Sequence, residues 1–336
     1  MVSVCIIARN EGKVIQSLFE NMKSQDYSHK DMEIVLIDSM STDNTKALMQ
    51  QFADESEKNG FACVNVYENK KMIQSAGWNV AIEKAQGDII IRVDAHTMIP
   101  SEFVRKSVAC IESGECVCGG ARPNIAVPRT KWTDVLLATE SSMFGSGIAI
   151  YRRKKDKKRY VNSVFHGAYR KEVFEKVGGF NEKLGRTEDN EMHYRIREAG
   201  YRICYDPEII SYQHIRSTWR GMIKQKYSNG YWIGLTLGVC PKCLAVYHFI
   251  PFFFVLSLIV GVILGETVSW MPFLLLFMVY GIFCMGNTVL MLLHHKNNLY
   301  FLLSPFIFLS LHVMYGLGTM VGIIRMPIWR KKIYYR

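Results

Sequence analysis

The acids of this sequence that stand where a carboxylate can do chemistry are Asp38, Asp94 and the pair Glu188-Asp189. Asp94-Ala95-His96 closes an apolar run, Ile89-Ile90-Ile91-Arg92-Val93. Side chains alternate along an extended segment, so residues 94 and 96 point the same way and can face one divalent cation. Imidazole suits Mn²⁺ better than Mg²⁺; both ions stay open, as does a simpler part for His96 as a hydrogen-bond donor to phosphate. Thr187-Glu188-Asp189 opens a stretch in which Met192, Ile196 and Ala199 recur at helical spacing before Gly200. A carboxylate in a first helical turn is stabilised as an anion by the helix dipole and aimed outward, although the same placement also serves merely to start a helix.

These acids need strands and helices to bring them together. Val2–Ala8 is an apolar run of strand length, and Val14, Leu18 and Met22 then recur at helical spacing. A second strand, Ile34–Ile37, ends in Asp38, and Ser41-Thr42-Asp43-Asn44 supplies capping residues for a helix through Ala47, Leu48 and Phe52. Phe61–Tyr67 is a third strand, Ile73–Ala85 a helix and Ile89–Val93 a fourth strand. Strands alternating with helices imply a mostly parallel sheet, with ligands at the carboxyl ends of its strands. Arg9, Asn10 and Glu11 lie at the first such end, Asp38 at the second, Asp94 and His96 at the fourth. Gly145-Ser146-Gly147 lacks a third glycine and no GxxxxGK[ST] occurs, which argues against NAD or ATP held by a glycine-rich loop. From Gly119 to Gly167 the strand and helix rhythm is lost, as in a loop region that binds an acceptor.

The motifs VSVCIIARNEG, VLIDSMSTDNT, GDIIIRVDAH and GGFNEKLGRTEDNEMHYRIREAGYRI, in this order, resemble the motif set of family 2 glycosyltransferases, which have the GT-A fold. The likeness covers about residues 1–235. RTEDNEMHYRIR and KQKYSNGYWIG, followed by an apolar tail, are most similar to the succinoglycan-type exopolysaccharide glycosyltransferases. The resemblance implies an α/β GT-A domain and an inverting transfer from a nucleotide-diphosphate sugar, with UDP as the expected carrier. It places the nucleotide against Ala8, Asn10, Glu11, Asp38, Asn79 and Asp94, and a divalent cation, Mn²⁺ or Mg²⁺, on Asp94 and His96. Asp189 is then the general base, and Glu188, Gln225 and Arg152 lie on the substrate side. His96 replaces the usual second acid, Gly77-Trp78-Asn79 replaces an Ala-Arg-Asn, and the arginine and tryptophan of a processive QxxRW motif are not at matching distance from Gln225.

Composition adds a membrane. The chain has 336 residues, 49% of them apolar and 21% charged, and Leu244–Ile324 is almost free of charge. Leu244–Gly265, Trp270–Leu293 and Leu299–Ile324 are each long enough to cross a bilayer, so residues 1–235 read as a catalytic domain and 236–336 as a membrane region. Three spans put the basic tail RMPIWRKKIYYR opposite the catalytic domain, whereas the positive-inside rule keeps it in the cytosol. A re-entrant first segment, marked by Pro251 and Phe252–Phe254, restores even parity. Val2–Ala8 lacks the features of a signal peptide, and nine cysteines without a four-ligand zinc pattern fit a reducing compartment. The expected location is the inner (cytoplasmic) membrane, with the catalytic domain facing the cytosol.

The net charge of +11 owes much to Arg152–Arg159, RRKKDKKR, with seven basic residues and one acid. So local a charge suits anionic headgroups or a diphosphate, or is simply a solvated loop; no nucleic-acid motif accompanies it. The expected partners are a nucleotide-diphosphate sugar, a polyprenyl-diphosphate-linked acceptor and membrane lipids. Two other functions fit the same sequence: a transferase acting on polyprenyl phosphate itself, and a membrane scaffold that binds nucleotide sugar without turnover.

Overall fold

The computed structural model describes residues 1–148, 152, 157–295 and 298–334. The strands are β1 (Val2–Ala8), β2 (Met32–Asp38), β3 (Cys63–Glu68), β4 (Ile89–Asp94), β5 (Thr97–Met98), β6 (Val117–Ala121), β7 (Asn124–Ile125), β8 (Arg159–Val161), β9 (Ala168–Arg170), β10 (Ile203–Ile210) and β11 (Tyr212–His214). The α-helices are α1 (Ile15–Lys23), α2 (Thr45–Asp54), α3 (Gln74–Lys84), α4 (Phe103–Glu112), α5 (Lys131–Ser141), α6 (Lys171–Val177), α7 (Glu188–Glu198), α8 (Trp219–Thr236), α9 (Ile250–Thr267), α10 (Met271–His294) and α11 (Ser304–Tyr334).

Among the described residues the main sheet has eight strands in the order β3-β2-β1-β4-β9-β6-β10-β8. The pairs β1–β2, β1–β4, β2–β3 and β6–β10 are parallel; β9 enters antiparallel between β4 and β6, and β8 closes one edge antiparallel. The apolar runs are continuous because both faces are covered. Val4, Ile6, Ile34, Leu36, Ile91 and Val93 enter one core with Leu18, Met22, Met49, Phe52, Phe103 and Val108. Their neighbours Cys5, Val35, Ile37 and Ile90 enter the other, with Trp78, Ala81, Phe174, Met192 and Ile196. Period-two alternation therefore sends Ile90, Arg92 and Asp94 to the same face as Trp78 and α7.

The chain forms two compact units, Met1–Pro123 with Ile150–Gln213, and Asn124–Ala149 with His214–Arg336. The two units are interleaved along the chain. The stretch expected to be loop between Gly119 and Gly167 contains α5, started by a capping box between Thr130 and Thr133. In the second unit Val246–Thr267, Met271–His294 and Leu299–Tyr334 are long and apolar enough to cross a membrane, close to the three segments expected from the sequence. Among the described residues the cysteines form no disulfide.

Candidate active site

Register sets the first row of the site. Ala8 pairs with Asp38, and Asp94 pairs with Ile7, so the ends of β1, β2 and β4 stand side by side. Two loops are stitched together above them. Asn10, at φ +56, accepts from the Thr42 amide at 2.8 Å and donates its own amide to Ser41 Oγ at 3.0 Å. The Glu11 amide donates to Thr45 Oγ1 at 2.8 Å, and Asp43 accepts from the Gly12 amide at 3.1 Å. Asp43 is therefore a loop tie; hydrogen bonds from Thr45 hold its pKa below the usual range. Asp38 is 1% exposed, and both its oxygens face the Ser41 amide at 3.2 Å, so in this structure it holds a turn. The Ala8 carbonyl accepts from the Ser39 amide.

Asn10, Met40 and Met72, with φ of +56, +57 and +57, lie in the loops that follow β1, β2 and β3, and Thr187, at +66, precedes α7. A β-branched residue at positive φ is strained, and such strain collects where the surrounding fold over-determines a functional loop.

Asp94 is largely buried and faces His166 Nε2 at 3.8 Å. Burial works to raise its pKa, but His166, His96 and Arg92 together hold it far below the carboxylate range. His166 is itself buried, bonded to Ser211 Oγ at 2.8 Å and Thr97 Oγ1 at 3.2 Å. His96 turns Nδ1 toward Glu11 Oε1 at 3.4 Å and Nε2 toward Gln213 Nε2 at 3.5 Å. Among the described residues no three His, Cys, Asp or Glu side chains form a metal-sized cluster.

The second row comes from α7. Glu188 is 4% exposed, and Asp189 is half-buried with Oδ1 accepting from the Asn190 amide at 2.8 Å. The helix start was expected to keep both ionised. Both pKa values are instead pushed up, first by burial and then by neighbouring carboxylates: Asp189 and Asp94 act on Glu188, and Asp94 acts on Asp189. The dipole, worth about 0.3–1 kcal/mol, is too weak to reverse this. Arg92 opposes the rise in both, with Nη2 3.9 Å from Glu188 Oε1.

Arg92 went unread as a site residue. Its guanidinium carbon lies 4.2 Å from the Trp78 ring centre and 4.5 Å from that of Phe180, and it is 5% exposed. Nε and Nη1 have no hydrogen-bond partner among the described residues, so the two rings and the carboxylates carry its charge. A charge inside the strand run IIIRVD was the available signal, because a buried charge must be paired. Asn79, expected at the nucleotide, is spent on the Phe180 loop: Oδ1 accepts from the Phe180 amide at 2.6 Å, and Nδ2 donates to the Phe180 carbonyl at 2.9 Å and Glu182 Oε1 at 3.1 Å. Arg195, bidentate on Glu191, donates to the Val177 and Gly179 carbonyls and holds the same loop. His193 is buried between Ser163 Oγ and the Tyr169 hydroxyl, its pKa pushed down to about 3 by burial and the nearby arginines.

Gln225 is half-buried on α8 in the second unit; beside it Lys226 is buried on Glu140 at 2.8 Å and Ser146 at 2.7 Å. Arg152 is half-buried, and residues 153–156 of the basic run lie outside the described residues. Lys158 is not free for headgroups: it pairs with buried Asp206 at 2.8 Å.

A family model described as "Glycosyl transferase family 2" matches residues 3–178. The chain is 25% identical over 329 residues to a dolichyl N-acetyl-α-D-glucosaminyl phosphate 3-β-D-2,3-diacetamido-2,3-dideoxy-β-D-glucuronosyltransferase of Methanococcus voltae, covering 96% of this chain and 97% of that protein. It is 28% identical over 205 residues to the succinoglycan biosynthesis protein ExoA of Rhizobium meliloti, over 60% of this chain and 59% of that one. Among solved structures, the mannosyltransferase PcManGT of Pyrobaculum calidifontis, in complex with GDP-Man and Mn²⁺, superposes with a TM-score of 0.58 at 16% identity, over 95% of this chain and 86% of that one. TarS 1–349 of S. aureus, in complex with UDP-GlcNAc, does so at 0.51 and 16% identity, over 100% and 93%. The shared fold is GT-A. With its model matched over more than half of the sequence, from the first strand through α6, the chain belongs to glycosyl transferase family 2.

Proposed function

We propose that the protein transfers one sugar from a nucleotide-diphosphate sugar, with UDP as the carrier, to a lipid-linked glycan acceptor, with inversion at the anomeric carbon. The observation that carries this reading is the juxtaposition, through Arg92, of an ionised acid at a strand end with raised-pKa acids at a helix start. Asp189 is the more exposed of the helix acids, and a base with a raised pKa takes a proton more readily once ionised. It removes the proton from the acceptor hydroxyl as that oxygen attacks the anomeric carbon, opposite the departing nucleotide. Glu188, enclosed beside Arg92, sets the charge balance around it.

The donor set fits a divalent cation that arrives with the diphosphate. Asp94 is ionised and His96, in the turn that follows β4 and not in an extended segment, is near enough to lower its pKa, with Glu11 next to His96, but no three-residue cage exists among the described residues. Most of the coordination would come from phosphate oxygens and water. Bound there, the cation supplies counter-charge to the leaving diphosphate. Asn10 and Glu11 line the nucleotide side. The relatives support the substrate classes: the Methanococcus voltae protein is named for a dolichyl-linked phosphate acceptor, the TarS structure holds UDP-GlcNAc and the PcManGT structure GDP-Man with Mn²⁺. The apolar helices fit work on a lipid-linked substrate at the inner membrane, with the catalytic domain facing the cytosol. Purified protein in detergent, given a panel of nucleotide sugars with membrane lipid extract, is expected to release the nucleotide from one donor and to radiolabel lipid. Turnover of none would remove the enzymatic reading.

Arg92→Met tests how the site is charged. Arg92 lowers the pKa of Glu188 and Asp189, so its loss raises both further. An unprotonated base is required, and the acidic limb of kcat against pH is expected to move up by roughly one unit. Arg92→Lys keeps the charge and is expected to move it less. An unmoved limb at reduced activity would make Arg92 a packing residue only.

A further inference from the structure

The three apolar helices are not equivalent. In α9 and α10 only 11% of the apolar stretch is buried, whereas in α11 39% is. Residues exposed to solvent recur along the whole of α9 and α10, such as Phe253, Ile263, Leu274, Ile282 and Leu290; between residues 307 and 323 of α11 none is exposed. α9 and α10 are joined by three residues and run antiparallel. Phe254 stacks on Tyr280 at 4.5 Å, and a Cβ on Gly261 or Gly265 would meet Phe273 or Trp270.

What covers most of α11 from residue 310 onward is α8, with the first turn of α9 on Gly316. Glycines from both helices let the backbones touch: an added Cβ would lie 2.0 Å from the Tyr315 carbonyl at Gly230, 2.2 Å from that of Tyr227 at Gly318 and 2.2 Å from that of Tyr231 at Gly322. Close approach of this kind is what small residues provide between helices. The matched pairs advance together, from Trp219 Nε1 donating to Ser310 Oγ, through Gly234 on Thr319, to Gly238 on Met326, and the Trp232 ring reaches along to Trp329. The two helices are therefore parallel, zipped from residue 310 to 329 of α11. α8 carries Arg220 and Lys224 and cannot cross hydrocarbon, so the helix zipped to it does not cross either.

The zipper also fixes parity. α9 begins twelve residues after Gly238, past Lys242 and two 3₁₀ turns at Pro241–Cys243 and Val246–Phe249, and an added Cβ on Gly316 would lie 2.2 Å from the Pro251 carbonyl, so α9 departs from beside the stretch of α11 that is zipped to α8. The stretch of α11 zipped to α8, which leads into Arg325, Arg330, Lys331 and Lys332 beside Trp329 and Tyr334, is thus at the level where α9 begins. Basic and aromatic residues together are the signature of a bilayer interface. An even number of crossings must separate the two points. We propose that α9 and α10 alone cross the bilayer, as a hairpin, and that α11 stays with α8 at the face from which α9 departs, its basic end against anionic headgroups. The conflict between three spans and the positive-inside rule is resolved at α11, not by a re-entrant α9. At about 1.5 Å per residue both α9 and α10 match the ~30 Å of hydrocarbon.

An epitope with a protease site, inserted between Val268 and Ser269 or added after the last residue of the full chain, tests this in sealed bacterial spheroplasts and in permeabilised ones. The insertion at 268 is expected to be cut from outside, and the C-terminal site only after permeabilisation. Both cut from outside would mean that α11 crosses. Both protected would mean that the hairpin does not cross and that its apolar faces cover protein instead, such as a second copy. Either result overturns the proposal. The assay reads helix placement alone, so it stands apart from the proposed reaction.

Discussion

Asp189→Asn is expected to leave nucleotide-sugar binding intact and to slow transfer by about 10²–10⁴-fold, the range that general-base assistance contributes. The substitution is close to isosteric, and an amide oxygen still accepts from the Asn190 amide, so the start of α7 keeps its geometry. Only the proton acceptor is lost. The acidic limb of kcat against pH should vanish with it, because that limb reports protonation of the raised-pKa carboxylate. Glu188→Gln is the control. Glu188 is enclosed and faces Arg92, so its neutralisation changes the field around Asp189 without removing the base, and a smaller loss is expected. Single-turnover transfer measured at saturating donor separates the two. A greater loss in Glu188→Gln than in Asp189→Asn would move the base to Glu188.

The elements of the first hundred residues were legible because β1, β2 and β4 are buried on both faces and a helix follows each at a short distance. β1, β2 and β4 stand within a few residues of their expected ends, and Asp94 sits at the tip of β4 as alternation requires. Three things were not legible. The direction in which Glu188 and Asp189 shift depends on what encloses them, and a helix-dipole argument sees only their own helix. The role of Arg92 arises from Trp78 and Phe180, 14 residues before it and 88 after it, which no local pattern connects. Helix α8 reads as the close of the catalytic domain by its polar residues, yet its glycines commit it to α11. Glycines on two helices, 88 residues apart as in Gly230 and Gly318, become a contact only in the folded chain.

The largest effect on substrate binding is expected at Asp94. In the structure this carboxylate is surrounded by His166 at 3.8 Å, by His96 and by Arg92, all of which favour its anion. Asp94→Ala removes the carboxylate that these groups hold ionised, and with it the strongest ligand for a cation. Two outcomes are thereby distinguishable. If the diphosphate is held directly by the basic groups, Asp94→Ala should bind donor as well as before or better. If a cation joins protein and diphosphate, several kcal/mol of counter-charge is lost, and donor affinity should fall by at least ~10²-fold. We expect the second, because Asp94 is ionised with His96 and Glu11 beside it, a donor set for a hard or borderline cation. His96→Ala should cost less, since imidazole contributes one neutral ligand, and His96→Asp should shift preference from Mn²⁺ toward Mg²⁺ by substituting an oxygen for a nitrogen. Calorimetric titration of UDP into each variant, with Mn²⁺, with Mg²⁺ and with excess chelator, reads all three. Wild-type affinity unchanged by chelator, together with unimpaired binding in Asp94→Ala, would leave the leaving group to the protein's own cations, with Arg92 the first to examine.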